Sequence, residues 1–389
     1  MALTCAKTEQ VRGLLEELDL DLWLVAVRET PVMADPVIPL VIGCQLTWES
    51  FFAFCRNGHN VALVGNFDVE NLKRHEGFDD VRAYTAGVGE DLRRLLREID
   101  PTQIALNYSP DDPSADGLTH GMFLQLHRYL GATPYVDRFV SAEKLCGKLR
   151  SRKLPEEIAR IVKAADLSLE AWNRLCHRLR TGQSEREVGA MLDGLISESG
   201  GCNSFPTIVN AGDKSAPGHG LPTDARLSGG DLLHVDFGVR LNDYCSDLQR
   251  LVYFRRSNEA TPPPELIEAF NQVRDIITET ARLCRPGIKG FEIDDVARRM
   301  LSDNGYEEYQ HALGHQLGRS VHDGGGLIGP MWERYGEAPL VPLESGNVFT
   351  LELEIILPGI GCVGLEEDVV VEETGGRFLC PRQMELHVL

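Results

Sequence analysis

The chain has 389 residues, of which 59 are acidic and 39 basic, so its formal net charge is −20 at pH 7. A surface this acidic repels nucleic acid and anionic lipid headgroups, which argues against both as partners. The sequence has no apolar run near the roughly 20 residues of a membrane span, and its first residues lack the pattern of a signal peptide. Ten scattered cysteines without a CxxC pair are typical of reduced thiols. We therefore predict a globular protein of the cytoplasm that binds neither nucleic acid nor membrane.

Residues 1–146 alternate between helical and strand-like patterns. Apolar spacing predicts helices over 8–18, 91–99 and 120–130, and short apolar runs predict strands over 22–27 and 61–64. This alternation predicts a small α/β domain with a covered sheet. No catalytic group of residues is found in it, so we expect it to serve packing, dimerisation or the shaping of a site elsewhere.

A stretch rich in glycine and basic residues predicts a domain boundary near residue 146, which makes 147–389 the second domain. Helical spacing and capping signals in this domain predict two pairs of helices, at 155–181 with 184–198 and at 265–284 with 291–304. The segments between and after these pairs have the character of strands. Helices followed by strands, twice over, predict an α+β domain built from a duplicated unit.

The segment 232–254 predicts a β-hairpin that carries two aspartates. In its first strand apolar residues alternate with others, which puts Asp236 on the face opposite the buried one. A turn about Leu241 and Asn242 would place Asp236 opposite Asp247. Opposed Cβ atoms lie about 4.5–5.5 Å apart, where two ionised carboxylates repel by roughly 3 kcal/mol at an effective dielectric constant of about 20. Either one carboxylate is protonated or a cation lies between them, unless one aspartate belongs to the turn and the other caps it.

A second hairpin repeats the pattern near the C-terminus. Strands predicted over 349–357 and 362–371 flank a Pro-Gly-Ile-Gly turn. A turn centred on Gly359 places Glu352 opposite Glu366. Two separate hairpins that each bring two carboxylates face to face are hard to explain as solvated surface.

Between the two hairpins, His315 lies between two nearby glycines and is followed by His322. Taken alone, such a histidine can be purely structural. One imidazole together with four carboxylates, however, is a ligand set for Mn²⁺, Co²⁺ or Zn²⁺. Five such ligands, some of them bridging, would hold two ions about 3.5–4 Å apart, as in two-metal hydrolases.

In their order and context these segments resemble the pita-bread metallopeptidases, which include methionine aminopeptidase, Xaa-Pro aminopeptidase, Xaa-Pro dipeptidase (prolidase) and the metal-free hydrolase creatinase. The resemblance covers about 155–389, while residues 1–146 are similar to a creatinase-type N-terminal domain in length and position only. It rests on five motifs: Val235-Asp236-Phe237-Gly238, Cys245-Ser246-Asp247, Gly314-His315-Gln316-Leu317-Gly318, Phe349-Thr350-Leu351-Glu352 and Leu365-Glu366-Glu367-Asp368.

The resemblance implies a role for each of these residues. Asp236 would bind one metal ion, His315 and Glu352 the other, and Asp247 and Glu366 would bridge the two. A bridging water, its pKa lowered by the ions, would be the nucleophile, and Glu352 would take the proton from that water as general base. By the same resemblance, His219 and His322 would act on the substrate side and steady the scissile carbonyl.

Two departures from the family pattern lie beside the predicted ligands Glu366 and Glu352. The usual arginine two residues before the bridging glutamate is replaced by Gly364, which puts ordinary Xaa-Pro specificity in question. The usual Pro-Gly after Glu352 is replaced by Leu353 and Glu354. Glu354 would lie on the same strand face as Glu352, where it adds a charge near the metals or, as we expect, is solvated at the margin of the sheet.

We therefore expect a dinuclear metallopeptidase that cleaves short, proline-containing peptides as an Xaa-Pro dipeptidase or aminopeptidase, in a homodimer. Mn²⁺ or Co²⁺ is favoured, with Zn²⁺ and Fe²⁺ as alternatives. A metal-dependent hydrolase of small-molecule amides, or a creatinase-like enzyme, is the second hypothesis. A non-catalytic binding module is the third, and the complete ligand set argues against it.

Overall fold

A computed structural model describes residues 3–214 and 220–389 of the chain. The chain forms two compact units, Met1–Arg150 and Ser151–Leu389. The boundary predicted after residue 146 falls inside a helix, Glu143–Ser151. Over the two described ranges, no helix is both long and apolar enough to span a membrane.

The first unit is a six-stranded mixed sheet with helices on both faces. In order across the sheet the strands are β4-β3-β2-β1-β5-β6, with β1 parallel to β5 and antiparallel to β2. The strands are β1 (Leu22–Val27), β2 (Ser50–Cys55), β3 (Val61–Gly65), β4 (Asp80–Tyr84), β5 (Ile104–Leu106) and β6 (Phe139–Ser141). The helices are α1 (Leu3–Glu17), α2 (Ile38–Val41), α3 (Val69–Leu72), α4 (Gly89–Ile99), α5 (His120–Leu130) and α6 (Glu143–Ser151).

Strand β1 is buried on both faces, as a central strand of a covered sheet must be. Trp23 and Val25 belong to one hydrophobic cluster, and Leu22 and Leu24 belong to the cluster on the other face. This confirms the predicted α/β character of the first 146 residues.

In the part of the chain that the structure describes, the second unit contains a seven-stranded sheet, two small sheets and four long helices. The helices are α7 (Pro155–Cys176), α8 (Glu185–Glu198), α9 (Pro264–Leu283) and α10 (Gly290–Asp303). The strands are β7 (Cys202–Asn203), β8 (Ile208–Ala211), β9 (Leu232–Phe237), β10 (Val239–Leu241), β11 (Tyr244–Cys245), β12 (Leu248–Tyr253), β13 (Gly314–His315), β14 (Leu327–Ile328), β15 (Val348–Leu357), β16 (Gly361–Glu372), β17 (Gly375–Phe378) and β18 (His387–Val388).

The four helices pack as two pairs, as the sequence predicts. Helices α7 and α8 share a hydrophobic cluster with strands β8 and β9, which includes Trp172 stacked on Phe237. Helices α9 and α10 share a second cluster with β15 and β16. The path β15-β16-β12-β9-β8 joins the strands of both pairs into one sheet.

The predicted register of the first hairpin is wrong. Asp236 lies opposite Gln249, not opposite Asp247. The turn is formed by Asn242 and Asp243, which both have positive φ, at 48° and 68°. A two-residue hairpin turn of type I′ has the left-handed backbone conformation at both central positions, and Asn and Asp tolerate that conformation. Moving the turn by one residue shifts every cross-strand partner by two.

The register of the second hairpin matches the prediction, with Glu352 opposite Glu366. Gln249 in turn lies opposite Glu366, and Ile208 lies opposite Asp236. Five neighbouring strands therefore contribute one continuous row across the sheet, in the order Ile208, Asp236, Gln249, Glu366 and Glu352. This row is the floor of the site described below.

Two leucines of helix α5 provide a matched test of the first unit. Leu126 is fully buried, whereas Leu124 is 53% exposed in the same helix. We expect Leu126→Ala to lower the free energy of unfolding by about 2–5 kcal/mol because it leaves a cavity, and Leu124→Ala to change it by less than about 0.5 kcal/mol. Urea unfolding followed by tryptophan fluorescence, to which buried Trp23 of the first unit contributes, measures both. Equal losses in the two variants would contradict this packing.

Candidate metal centre

A cavity of about 550 Å³ lies over the row of residues on the sheet. Its wall contains each of the five predicted metal ligands, together with His322 and Glu354. Those ligands are Asp236, Asp247, His315, Glu352 and Glu366. The structure thus brings together residues that are up to 130 positions apart in the sequence.

Four of these carboxylates converge although only two lie directly opposite each other. Asp236, Glu366 and Glu352 belong to the row on the sheet, while Asp247 lies at the break between β11 and β12. Asp236 and Asp247 both line the cavity, although Asp247 lies two residues before Gln249, the cross-strand partner of Asp236. The two aspartates are therefore placed diagonally across the strands and not directly opposite each other.

His315 reaches the carboxylates because its segment lies against strand β15. The backbone nitrogen of Glu352 donates to the carbonyl of Leu313 at 2.7 Å, and the nitrogen of His315 donates to Thr350 Oγ1 at 3.2 Å. Gly314 permits this approach, since a Cβ there would lie 1.9 Å from the carbonyl oxygen of Thr350. The chain needs glycine at this position to bring the imidazole to the sheet.

The hydrogen bond of the imidazole fixes which nitrogen faces the cluster. His315 Nδ1 lies 3.3 Å from the carbonyl oxygen of Gln316, an acceptor, so Nδ1 carries the proton. The lone pair of Nε2 then faces the carboxylates, at 3.7 Å from Asp247 and from Glu352 and at 4.0 Å from Glu366. A neutral imidazole whose other nitrogen donates to a carbonyl is the form that binds metal ions.

Burial and mutual repulsion make this cluster hard to ionise without a cation. Burial raises the pKa of Glu366 to about 7. Burial, followed by the neighbouring Glu366 carboxylate, raises the pKa values of Asp236, Asp247 and Glu352 well above their ordinary range. Adding positive charge among them would reverse this shift.

The unsatisfied atoms of the cluster fit divalent cations. Asp236 Oδ1, Asp247 Oδ1 and Glu366 Oε1 are buried and have no hydrogen-bond partner. Potential ligand atoms of Asp247, His315 and Glu366 lie within 4.8 Å of one another. Buried polar atoms without a partner are rare in proteins and call for an ion or an ordered water, and a set of oxygens plus one imidazole suits Mn²⁺, Co²⁺, Zn²⁺ or Fe²⁺.

Comparison with known proteins agrees with this geometry. Residues 159–373, more than half of the chain, match the model of Metallopeptidase family M24. The chain belongs to metallopeptidase family M24. Membership of a metallopeptidase family implies bound metal, which the donor set at the cavity independently supports.

Individual proteins resemble this M24 chain in sequence and in structure. It is 31% identical over 253 residues to the Xaa-Pro dipeptidase of Pyrococcus furiosus, which covers 64% of this chain and 69% of the relative. It superposes on the X-Pro aminopeptidase of Thermotoga maritima with a TM-score of 0.74 and 25% identity, over 98% of this chain and 99% of the other. The Xaa-Pro dipeptidase of Bacillus anthracis has the same fold, with a TM-score of 0.78 at 23% identity over 99% and 100% of the two chains. The pita-bread fold and the preceding N-terminal domain are thereby confirmed.

The sequence also predicted that His322 and His219 lie on the substrate side of the M24 site, and it left the position of Glu354 open. The His322 ring packs edge-on against His315, with centroids 4.3 Å apart, and lines the cavity. His219 lies outside the described residues. Glu354 faces the cavity and accepts a hydrogen bond from Cys362 Sγ at 3.0 Å. Glu354 is half-buried in the same cavity as Glu352, so it adds a charge near the predicted ligands while it remains in contact with solvent.

Two residues of the M24 site were missed in the sequence. Gln249 Nε2 donates to Glu352 Oε2 at 3.1 Å and to Glu366 Oε2 at 2.9 Å, and His234 Nε2 lies 2.9 Å from Gln249 Oε1. His234 is two residues before Asp236, and Gln249 is two residues after Asp247. Alternate residues of a strand share a face. This spacing could therefore have indicated that both residues lie beside the predicted ligands.

The raised pKa of Glu366 predicts how the stability of the metal-free protein depends on pH. A glutamate in the unfolded chain titrates near pH 4.3, so between about pH 4 and 7 the folded state binds the extra proton. The free energy of unfolding therefore falls as pH rises through this window. Thermal unfolding in chelator at pH 5, 6 and 7 measures the fall, and saturating Mn²⁺ at pH 7 should restore stability because it binds the folded state.

Glu366→Gln is the control for this measurement, since it removes the titrating group but keeps its shape. The metal-free variant should lose less stability than the wild type between pH 5 and 7. Identical slopes in the two proteins would contradict the assignment of the raised pKa.

Proposed function

We propose that the protein is a dinuclear metal-dependent peptidase that hydrolyses short peptides at Xaa-Pro bonds. The observation that carries this proposal is the convergence of four carboxylates and the Nε2 of His315 in one cavity of an M24 chain. The names of its relatives, Xaa-Pro dipeptidase and X-Pro aminopeptidase, support the substrate class.

We propose that the five residues form two ligand sets. Asp236 would hold one ion, His315 and Glu352 would hold the other, and Asp247 and Glu366 would contribute to both. When bound, divalent ions act as Lewis acids that polarise a carbonyl and lower the pKa of water. Mn²⁺ or Co²⁺ is our proposal for the ion, since carboxylate oxygens outnumber nitrogen in the set.

Other residues would handle the proton and the substrate. Glu352 has one oxygen, Oε2, tied to Gln249, so Oε1 is the atom that would accept the proton of the attacking water. His322, beside His315 in the cavity wall, would donate a hydrogen bond to the scissile carbonyl oxygen as its charge develops. We propose the same substrate-side role for His219 on the sequence resemblance.

The composition of the cavity wall suits a short peptide with a free carboxylate. Phe205, Pro206 and Ile208 provide an apolar wall for a pyrrolidine ring. Arg240 and Arg319 also line the cavity, and both guanidinium groups approach the single carboxylate of Asp243, at 3.5 and 3.0 Å. The surplus positive charge would attract the C-terminal carboxylate of a dipeptide.

The wider context of the enzyme is proposed on the sequence alone. We propose that the domain of residues 147–389 carries the chemistry and that residues 1–146 shape access to it. A homodimer, a cytoplasmic location and the lack of nucleic-acid and membrane partners likewise stay predictions.

Hydrolysis of an Xaa-Pro dipeptide and an Xaa-Pro-Xaa tripeptide by metal-stripped protein with added Mn²⁺ tests the proposal. We expect metal-dependent cleavage of the Xaa-Pro bond in both peptides. The dipeptide should be preferred because its C-terminal carboxylate would bind Arg240 and Arg319. Liberated proline, or the liberated N-terminal residue, is measured over time.

Asp247→Asn should lose this activity because it removes a shared ligand, whereas Asp224→Asn, at an exposed loop position, should retain it. Cleavage of neither peptide by protein that binds two ions would contradict the peptidase and favour a non-peptide amide as substrate.

A further inference from the structure

At position 364, the space that a side chain would need is already filled by the side chains of Gln249 and His234. Gly364 lies opposite Glu354 and two residues before Glu366 on β16. A Cβ at this position would lie 2.7 Å from Gln249 Oε1 and 2.8 Å from His234 Nε2. The φ angle of Gly364 is outside the left-handed region, so the constraint here is space and not backbone conformation.

The atoms that fill this space form a chain of hydrogen bonds. Asn210 Nδ2 lies 3.3 Å from His234 Nδ1, and His234 Nε2 lies 2.9 Å from Gln249 Oε1. The amide nitrogen of Gln249 then reaches both facing glutamates. The side chains that form these hydrogen bonds, Asn210, His234 and Gln249, are each at most 7% exposed. Neither His234 nor Gln249 can therefore move into solvent to make room for a side chain at 364.

The chemistry of the end groups fixes the direction of every hydrogen bond in the chain. In the metal-bound state that we propose, both glutamates are ionised and only accept, so the amide of Gln249 must present its two N–H groups to Glu352 and Glu366. Its oxygen therefore faces His234, which must donate from Nε2. Nδ1 of His234 is then left as the acceptor for the amide of Asn210.

This arrangement holds two like charges in a fixed orientation. Gln249 binds Oε2 of both glutamates. The other oxygens, Glu352 Oε1 and Glu366 Oε1, are left facing His315 Nε2 at 3.7 and 4.0 Å. One oxygen of each glutamate is thus restrained, and one is presented to the centre of the cluster.

We propose that Asn210, His234 and Gln249 are positioning residues for the metal centre, and that Gly364 is required because any side chain there would displace them. The three act through Glu352 and Glu366 and do not themselves bind the ions. The inference rests on the proposed metal-dependent function. It explains in physical terms why a residue other than the family's usual arginine is found at 364.

The test measures Mn²⁺ affinity, which is independent of any substrate, by titration with the EPR signal of the free ion. Gly364→Ala should bind Mn²⁺ about 10–100-fold more weakly, the usual effect of losing a hydrogen bond to a ligand. Gly194→Ala in α8 is the matched control and should bind as the wild type does, because a Cβ there meets nothing within 4 Å. Gln249→Leu should show a loss similar to that of Gly364→Ala without adding atoms at 364, and it decides the question if Gly364→Ala does not fold.

A double mutant separates this mechanism from a general loss of packing. His234→Ala should weaken Mn²⁺ binding by itself and also empty the space beside position 364. Adding Gly364→Ala to His234→Ala should then cost less than about twofold more, because the hydrogen bond that orients Gln249 is already lost and its amide can move into the space that His234 leaves.

The possible failures are distinguishable. Wild-type protein that binds no Mn²⁺ would overturn the proposed function. Wild-type protein that binds Mn²⁺, with Gln249→Leu equal to it in affinity, or with the losses of Gly364→Ala and His234→Ala multiplying in the double mutant, would overturn the positioning role alone.

Discussion

The second unit depends on one constraint, the collection of like charges on a single row of a buried sheet. Glu366 and Glu352 lie on adjacent strands, Asp236 lies two strands from Glu366, and Asp247 joins them diagonally. Two ionised carboxylates about 5 Å apart repel by roughly 3 kcal/mol at an effective dielectric constant of about 20. The fold can place them so only if cations or a precise hydrogen-bond network compensate, and most other features of the unit serve this requirement.

The sheet itself is held in register behind the row. Arg250 is fully buried, and its Nη1 donates to the carbonyl oxygens of Gln249 and Glu366, both at 2.9 Å. Its Nη2 donates to Glu367 at 2.9 Å, which neutralises the guanidinium. These bonds join β12 to β16 at the one pair of residues, Gln249 and Glu366, through which the two hairpins meet. A buried pair of this kind contributes little net stability but specifies register strongly.

Much of this site could be predicted from the sequence because strand alternation and turn chemistry are local. The facing pair Glu352 and Glu366 follows from one glycine-rich turn, and the helix pairs follow from caps and apolar stripes. The partner of Asp236 could not be fixed in this way, because a turn misplaced by a single residue moves it from Gln249 to Asp247.

Other features depend on contacts between distant segments, which no local pattern contains. The path of His315 along β15 requires the close approach at Gly314, and the role of Gly364 becomes visible only when His234 and Gln249 are seen in its side-chain space. In the sequence, Gly364 looks like the loss of a functional residue. In the structure, a different hydrogen-bond network occupies the space of its side chain.

Anomalous diffraction from crystals of the protein grown with Mn²⁺ tests whether the cavity holds two cations. We expect two peaks in the cavity, about 3.5–4 Å apart, with Asp247 and Glu366 between them and Asp236 and His315 on opposite sides. A single peak, no peak, or peaks away from the row of carboxylates would contradict the claim that this sheet is built to hold two cations.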